Sequence, residues 1–197
     1  MKMSFLQKKT MNYLFKIIFI SIFLSCFSFA ASIRGLDASQ RLPIDSARNA
    51  RAHSNMGNIY FDEKKYVAAL KEYEIAYNLV PDTPQAAVYL YNISRCFIVA
   101  NKYSLAKNAI LGAIKKDCTN LTYYNLLAEC IVKLKQEEVE IQKYLSDDKN
   151  PYNRILVGLI YLKINQKINA KIIFDEFIAN NPDMLITEDI KMLLRKL

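Results

Sequence analysis

The sequence predicts an all-α chain built from pairs of antiparallel helices. Three observations lead there. Between Ala50 and Pro81, Gly57 is followed by Tyr60, Ala69, Tyr73, Ala76 and Pro81 at offsets of three, nine, four, three and five. Small residues at helical spacing let two helices approach closely, and the aromatics fill the space beside them. Far downstream, Gly158, Tyr161, Ala170, Phe174 and Pro182 repeat the first offsets of three, nine and four, then eight. Finally, 52% of the residues are apolar and only four are Gly, so a helical core can form and disorder is not expected.

Length and charge bound the rest. A chain of 197 residues fits one domain at roughly 100–200 residues each. The formal charge of +8 includes Lys2, Lys8, Lys9 and Lys16, which stand before residue 31 with no acid among them. Without them the balance is +4, with Lys and Arg interleaved with Asp and Glu. No basic stripe of the kind that tracks a phosphate backbone is present, so nucleic acid is not an expected partner.

Residues 1–30 read as an export signal. Lys8, Lys9 and Lys16 precede an uninterrupted run from Ile17 to Ala31 whose only polar members are Ser and Cys. Its length suits the apolar region of a signal peptide and falls short of the ~20 residues of a spanning helix. Ser28 and Ala30 supply the small-residue pattern of a cleavage site, which predicts cleavage after Ala30. Two other readings stay open. The run can be retained as a membrane anchor, or Cys26 can be the acylated cysteine of a lipoprotein, following Phe23-Leu24-Ser25. All three place the folded part outside the cytoplasm, in the periplasm or at a membrane of the cell envelope. Residues 31–45 form a linker, and Pro43 marks its boundary.

The helices follow in order. The first pair spans about Ser46–Phe61 and Lys64–Leu79, with Asp45 or Ser46 as the N-cap. Ala52, Met56, Ile59 and Tyr60 share one face of the first helix. Tyr66, Ala69, Leu70, Tyr73, Ala76 and Tyr77 share one face of the second. The next pair, about Pro84–Ala100 and Tyr103–Lys115, starts at Thr83-Pro84, with Thr83 as its expected N-cap. Ser94 takes the place of Gly57, and Ala106 and Ala113 supply the small contacts. A third, degenerate pair covers about Leu121–Leu134 and Glu137–Leu145. Thr119 or Asn120 caps it, and Glu140 stands where a small residue is expected. The fourth opens at Asn150-Pro151, and Phe177 replaces its last Ala, which predicts a looser or differently turned end. Residues 183–197 form a last helix starting at Thr187-Glu188-Asp189. Its Met192, Leu193 and Leu197 are expected to cover the open end of the stack.

These offsets resemble the tetratricopeptide repeat (TPR), a helix–turn–helix unit of about 34 residues. The likeness covers residues 46–182, strongest in the first and fourth units. It implies a right-handed α-solenoid of about four TPR-like helix pairs plus a C-terminal capping helix, as in an exported bacterial member. The repeat-packing residues would be Gly57, Tyr60, Ala69, Tyr73, Ala76, Ala106, Ala113, Gly158, Tyr161, Ala170 and Phe174. The resemblance also implies a groove lined by the first helix of each unit. It would present Arg51, Ser54 and Asn58, then Tyr91, Asn92 and Arg95, then Asn125 and Glu129, and finally Ile155, Leu159 and Leu162. The well-known chaperone-binding members hold a peptide carboxylate with two Lys, two Asn and an Arg. Asn58 and Asn92 match two of those places, but Ser54, Thr122 and Leu126 replace the basic residues. Arg154–Ile164 is apolar nearly all round, which predicts burial on more than one side, with an exposed apolar patch around Ile155, Leu159 and Leu162. The groove is therefore expected to be polar at its first end and apolar at its last. Its partner is a protein or peptide of unknown identity; a membrane enters only through the N-terminal segment, uncleaved or lipidated at Cys26.

No catalytic pattern is legible. There is no HExxH, no phosphate-binding glycine loop and no GxSxG. The one histidine, His53, has no Cys or carboxylate at ligand spacing and reads as a packing residue. Glu137, Glu138 and Glu140, interspersed with Lys135 and Lys143, read as a solvated helix face. Neither an enzyme nor a cofactor or metal is expected. Cys96 and Cys130 stand one repeat length apart, in equivalent places of consecutive units. Neighbouring helices sit about 8–10 Å apart, too far for a bridge, so both are expected as buried thiols. The class expected is a non-catalytic interaction module of the bacterial cell envelope. The alternative is a membrane-anchored or lipidated accessory subunit of an outer-membrane or secretion assembly.

Overall fold

The structure is a computed structural model that describes residues 45–147 and 149–197. The expected signal segment and linker lie outside the described residues, apart from Asp45. Nine α-helices fill the described part: α1 Ser46–Asp62, α2 Tyr66–Leu79, α3 Ala86–Val99, α4 Tyr103–Lys116, α5 Leu121–Lys133, α6 Glu137–Leu145, α7 Tyr152–Lys163, α8 Lys167–Asn180 and α9 Leu185–Leu194. They form a helical-repeat solenoid, in which consecutive helices pack side by side except α5 and α6.

One backbone device recurs at every turn within a pair. Lys64, Asn101, Lys135 and Asn165 have φ of 61°, 57°, 57° and 62°. After each, the next amide reaches back to the carbonyl five positions earlier: Lys65 to Tyr60, Lys102 to Phe97, Gln136 to Ile131 and Gln166 to Tyr161. The residue at positive φ donates three positions back, to Phe61, Ile98, Val132 and Leu162. This is a Schellman ending, which satisfies the free carbonyls of the outgoing helix and reverses the chain. The step from Lys64 to Asn101 is longer than that from Asn101 to Lys135, and the step from Lys135 to Asn165 is shorter still. The four units thus share one turn but shorten along the chain.

Close packing within the pairs rests on paired positions. A Cβ built on Gly57 would lie 2.6 Å from Cε1 of Tyr73, and one on Gly158 would run into Cε1 of Phe174. Both rings are fully buried. The glycines thus let α1 meet α2, and α7 meet α8, across a flat aromatic ring. The second unit sets Ser94 and Ile110 at the same places, both 0% exposed. Ala69, Ala106 and Ala170 fill the small positions at 0% exposure, and Ala76 and Ala113 do the same further along. Tyr60 and Tyr161 pack beside them, half-buried.

The third unit departs from this plan. α5 barely touches α6; it packs instead on α4 and α7, while α6 leans on α7. Glu140 occupies the small position and is 7% exposed, not solvated as its sequence neighbours suggest. It is tolerated because Lys107 Nζ of α4 donates to its Oε1 at 2.6 Å and Lys143 Nζ to its Oε2 at 3.2 Å. A buried carboxylate needs such partners, and the larger side chain leaves no room for a tight hairpin. Burial pushes the Glu140 carboxyl up, but the two lysines outweigh it and hold it below the ordinary carboxylate value.

Other expectations are corrected. Ala52, Met56 and Ile59 are exposed; the buried side of α1 is Ala50, Ser54 and Gly57, which faces α2. Small residues carry that contact, so apolar periodicity points to the wrong side. Thr83 does not cap α3, which begins at Ala86 with no side-chain cap; its hydroxyl donates back to Val80 O. Asp45 and Asn120 do cap α1 and α5, accepting from Arg48 N and Thr122 N. α9 starts at Leu185, and Thr187 sits inside it, 0% exposed, with its hydroxyl donated to Asn181 O. Ile186 and Ile190 close the end of the stack, whereas Met192 and Leu197 are exposed. Phe177 does not loosen this end: it is 1% exposed, in one cluster with Ile186 and Ile190. Cys96 and Cys130 are buried and unbonded, and Cys118 is half-buried and unbonded.

Candidate partner-binding surface

Successive first helices touch through long side chains, which makes α1, α3, α5 and α7 neighbours along one side. The Arg95 guanidinium of α3 stacks 4.1 Å over the Phe61 ring of α1 and 5.8 Å from the Tyr91 ring. Its Nη1 donates to Asn92 Oδ1 at 3.3 Å. Tyr91 meets Tyr123 of α5 with ring centroids 5.4 Å apart. Glu129 of α5 lies 3.9 Å from Lys163 of α7.

The expected groove residues divide into two groups. In the first two units they come together as a polar and aromatic surface. Arg51 and Asn58 are exposed on α1, while Tyr91 and Arg95 are half-buried on α3. Tyr73 donates its hydroxyl to Asn58 Oδ1 at 2.8 Å, which orients the amide. Burial pushes the Tyr73 phenol up to about 12, so it stays a donor at any physiological pH. Ser54 and Asn92 are buried, at 7% and 6% exposure. They support the surface rather than present themselves on it. Phe61, the platform for Arg95, is absent from the residues that the sequence singles out. It follows Asn58 by three positions on the same helical face, and that spacing is readable.

In the last two units the expectation fails in part. Asn125 is exposed and Glu129 half-buried, but Ile155 and Leu159 are 0% and 3% exposed and Leu162 is half-buried. No exposed apolar patch forms around them. Ile155 and Leu159 share a buried cluster with Leu127, Ile186 and Ile190, and their helix packs on α5. What remains is a cleft of about 410 Å³ between α5 and α9, lined by Asn120, Leu121, Thr122, Asn125, Leu159, Asp189, Met192, Leu193 and Lys196. The α9 wall of this cleft is invisible to periodicity, since it depends on where a terminal helix folds back.

This surface offers hydrogen bonds, a stacked cation and aromatic edges. His53 is tied by its Nδ1 to Glu72 Oε2 at 2.6 Å, as a packing residue between α1 and α2. Among the described residues no group of three or more His, Cys, Asp or Glu stands ready to hold a metal ion. None of the described helices is long and apolar enough to cross a membrane.

No family model matches the chain. It is similar to the first TPR domain of Spaghetti (RPAP3) bound to an HSP90 peptide, at 18% identity and a TM-score of 0.47, over 60% of this chain and 95% of that one. It is also similar to pilF of Pseudomonas aeruginosa, at 16% identity and a TM-score of 0.48, over 75% and 68% of the two chains. A third likeness is to the Arabidopsis OM64 TPR domain, at 15% identity and a TM-score of 0.45, over 77% and 98%. Glycine against a facing ring in α1/α2 and α7/α8, alanines at the recurring close contacts, and four Schellman turns make the described residues an all-α helical-repeat solenoid with the packing that the TPR resemblance implies.

Proposed function

We propose that this chain is a non-catalytic protein-interaction module of a bacterial cell envelope. It receives a segment of another protein along α1 and α3. The observation that supports this most is Arg95. Its guanidinium is held over the Phe61 ring and near the Tyr91 ring, with no carboxylate paired to it among the described residues. Exposed Arg51 and Asn58 extend the same surface on α1. Such pre-positioned Arg and Tyr side chains are where interfaces concentrate binding energy. A partner segment with carboxylate and aromatic or amide groups fits this chemistry. The envelope setting draws on the basic leader and apolar run of residues 1–30. The same run, or acylation of Cys26, underlies the second reading, a tethered accessory subunit of an outer-membrane or secretion assembly.

A photoreactive amino acid at Arg51 or Asn58 in intact cells tests the site. One discrete protein adduct is expected, lost on Arg95→Ala and absent when the probe stands at exposed Glu74 of α2. An adduct unaffected by Arg95→Ala, or seen equally from Glu74, overturns the assignment. Fractionation of the same cells locates the chain, and a mass shift on Cys26 separates the two readings.

A further inference from the structure

We infer that the outer side of α8 is a docking surface for an anionic membrane. α8 buries Ala170, Phe174 and Phe177. On its other side Ile168 and Ile172, one turn apart, are 79% and 59% exposed. Lys167 and Lys171 flank them, also one turn apart and exposed. Lys171 has no ion-pair partner among the described residues. Lys167 Nζ donates to Leu197 O at 3.5 Å. The nearest carboxylates on α8 are Asp175 and Glu176, about a turn further on, and Glu176 is engaged by Arg154 at 3.6 Å. On α9, Glu188 is engaged by Lys191 at 2.6 Å, and Asp189 lines the α5–α9 cleft.

Charge complementarity selects the occupant. Two aliphatic side chains are too little apolar area for a stable protein interface, which takes about 800 Å² per partner. Two aliphatics flanked by two exposed lysines are what a headgroup layer accepts: the chains enter the interface and the lysines meet phosphates. Val67 of α2 is the positional counterpart of Ile168, 85% exposed, but Lys71 holds the place of Ile172, so a single aliphatic side chain stands there. Unit one thus serves as an internal control.

The test uses the full chain carrying an environment-sensitive fluorescent amino acid at Ile168 or at Val67. With vesicles containing phosphatidylglycerol, emission from position 168 is expected to shift to the blue, and emission from 67 to stay unchanged. Vesicles of phosphatidylcholine alone, or high salt, are expected to remove the shift. Lys167→Glu with Lys171→Glu should weaken the response about tenfold or more, at unchanged helicity. Any tethering by residues 1–44 brings both positions to the vesicle, so it does not mimic the difference. No shift at 168, or equal shifts at both positions, overturns the proposal. So does a shift without vesicles that grows with protein concentration, which would make a second copy the occupant.

Discussion

Gly158→Ala isolates the contact on which the pairing of α7 with α8 depends. The new methyl would overlap the Phe174 ring, running into its Cε1 and lying 2.6 Å from its Cζ. That ring is 0% exposed and cannot swing into solvent. Overpacking of a well-filled site costs about 1–3 kcal/mol. Against this, Ala in place of Gly favours a helix interior by about 1 kcal/mol. The clash is with a rigid, enclosed ring, so the upper end applies, and the net loss is about 1–2 kcal/mol. For a chain of this size that lowers the melting temperature by roughly 2–4 °C per kcal/mol. Gly112→Ala is the contrast. Its Cβ would meet only the half-buried Leu90 side chain, with Cδ1 at 3.2 Å. The propensity gain is then largely kept, and stability is unchanged or up by as much as ~1 kcal/mol. Thermal and urea unfolding followed by circular dichroism reads both. A Gly158→Ala protein at least as stable as the parent would refute the close-approach reasoning. So would a Gly158→Ala/Phe174→Leu cycle with no coupling.

Three further outcomes are expected. Lys64→Gly or Lys135→Gly relieves a positive-φ position and raises stability by up to about 1 kcal/mol in thermal unfolding, whereas Lys64→Val lowers it. Glu140→Gln costs ~1–3 kcal/mol near neutral pH, because Lys107 and Lys143 lose a charged acceptor. The folded Glu140 carboxyl titrates below its ordinary value of 4.5, so its contribution is present above that pH and lost as pH falls through the folded value. Acid unfolding of Glu140→Gln should therefore be shallower below about pH 4.5. Of Cys96, Cys118 and Cys130, only Cys118 should react quickly with a disulfide reagent at pH 8, by peptide mass mapping. Burial pushes the Cys96 and Cys130 thiols up to about 11 and also shields them.

The fold was legible because tight helix contacts demand residues that little else demands. Gly57, Ala69, Gly158 and Ala170 had few alternative explanations, and all four are buried against a facing helix. The four turns could be located, but not their left-handed residue, since Lys64 and Lys135 are poor signals for it. The sidedness of apolar residues was the weak point. Met56 and Ile59 are exposed, because the close contact of α1 with α2 is carried by the small residues Ala50, Ser54 and Gly57. Ile155 and Leu159 read as groove lining, yet they sit in one buried cluster with Leu127, Ile186 and Ile190, in keeping with the all-round apolarity of Arg154–Ile164. The first half of the candidate site was readable through Asn58, Tyr91 and Arg95. Its organising contact, Arg95 on Phe61, joins two units and so was not.

The apolar clusters are unequal, and this bears on how the surface is made and unmade. One cluster runs from Ala87 to Ile190, while Ala69, Tyr73, Ile93 and Cys96, and separately Ala50, Ala76 and Tyr89, form small ones at the start of the stack. Fraying in a linear array begins where the interface is smallest. Among the described residues the α1–α2 hairpin is held to the stack by the two small clusters, and its opening would take Arg51, Asn58 and Phe61 with it. A ligand bridging α1 and α3 would clamp that hairpin, and the clamping would register as slowed amide exchange in α1 rather than as a change of shape.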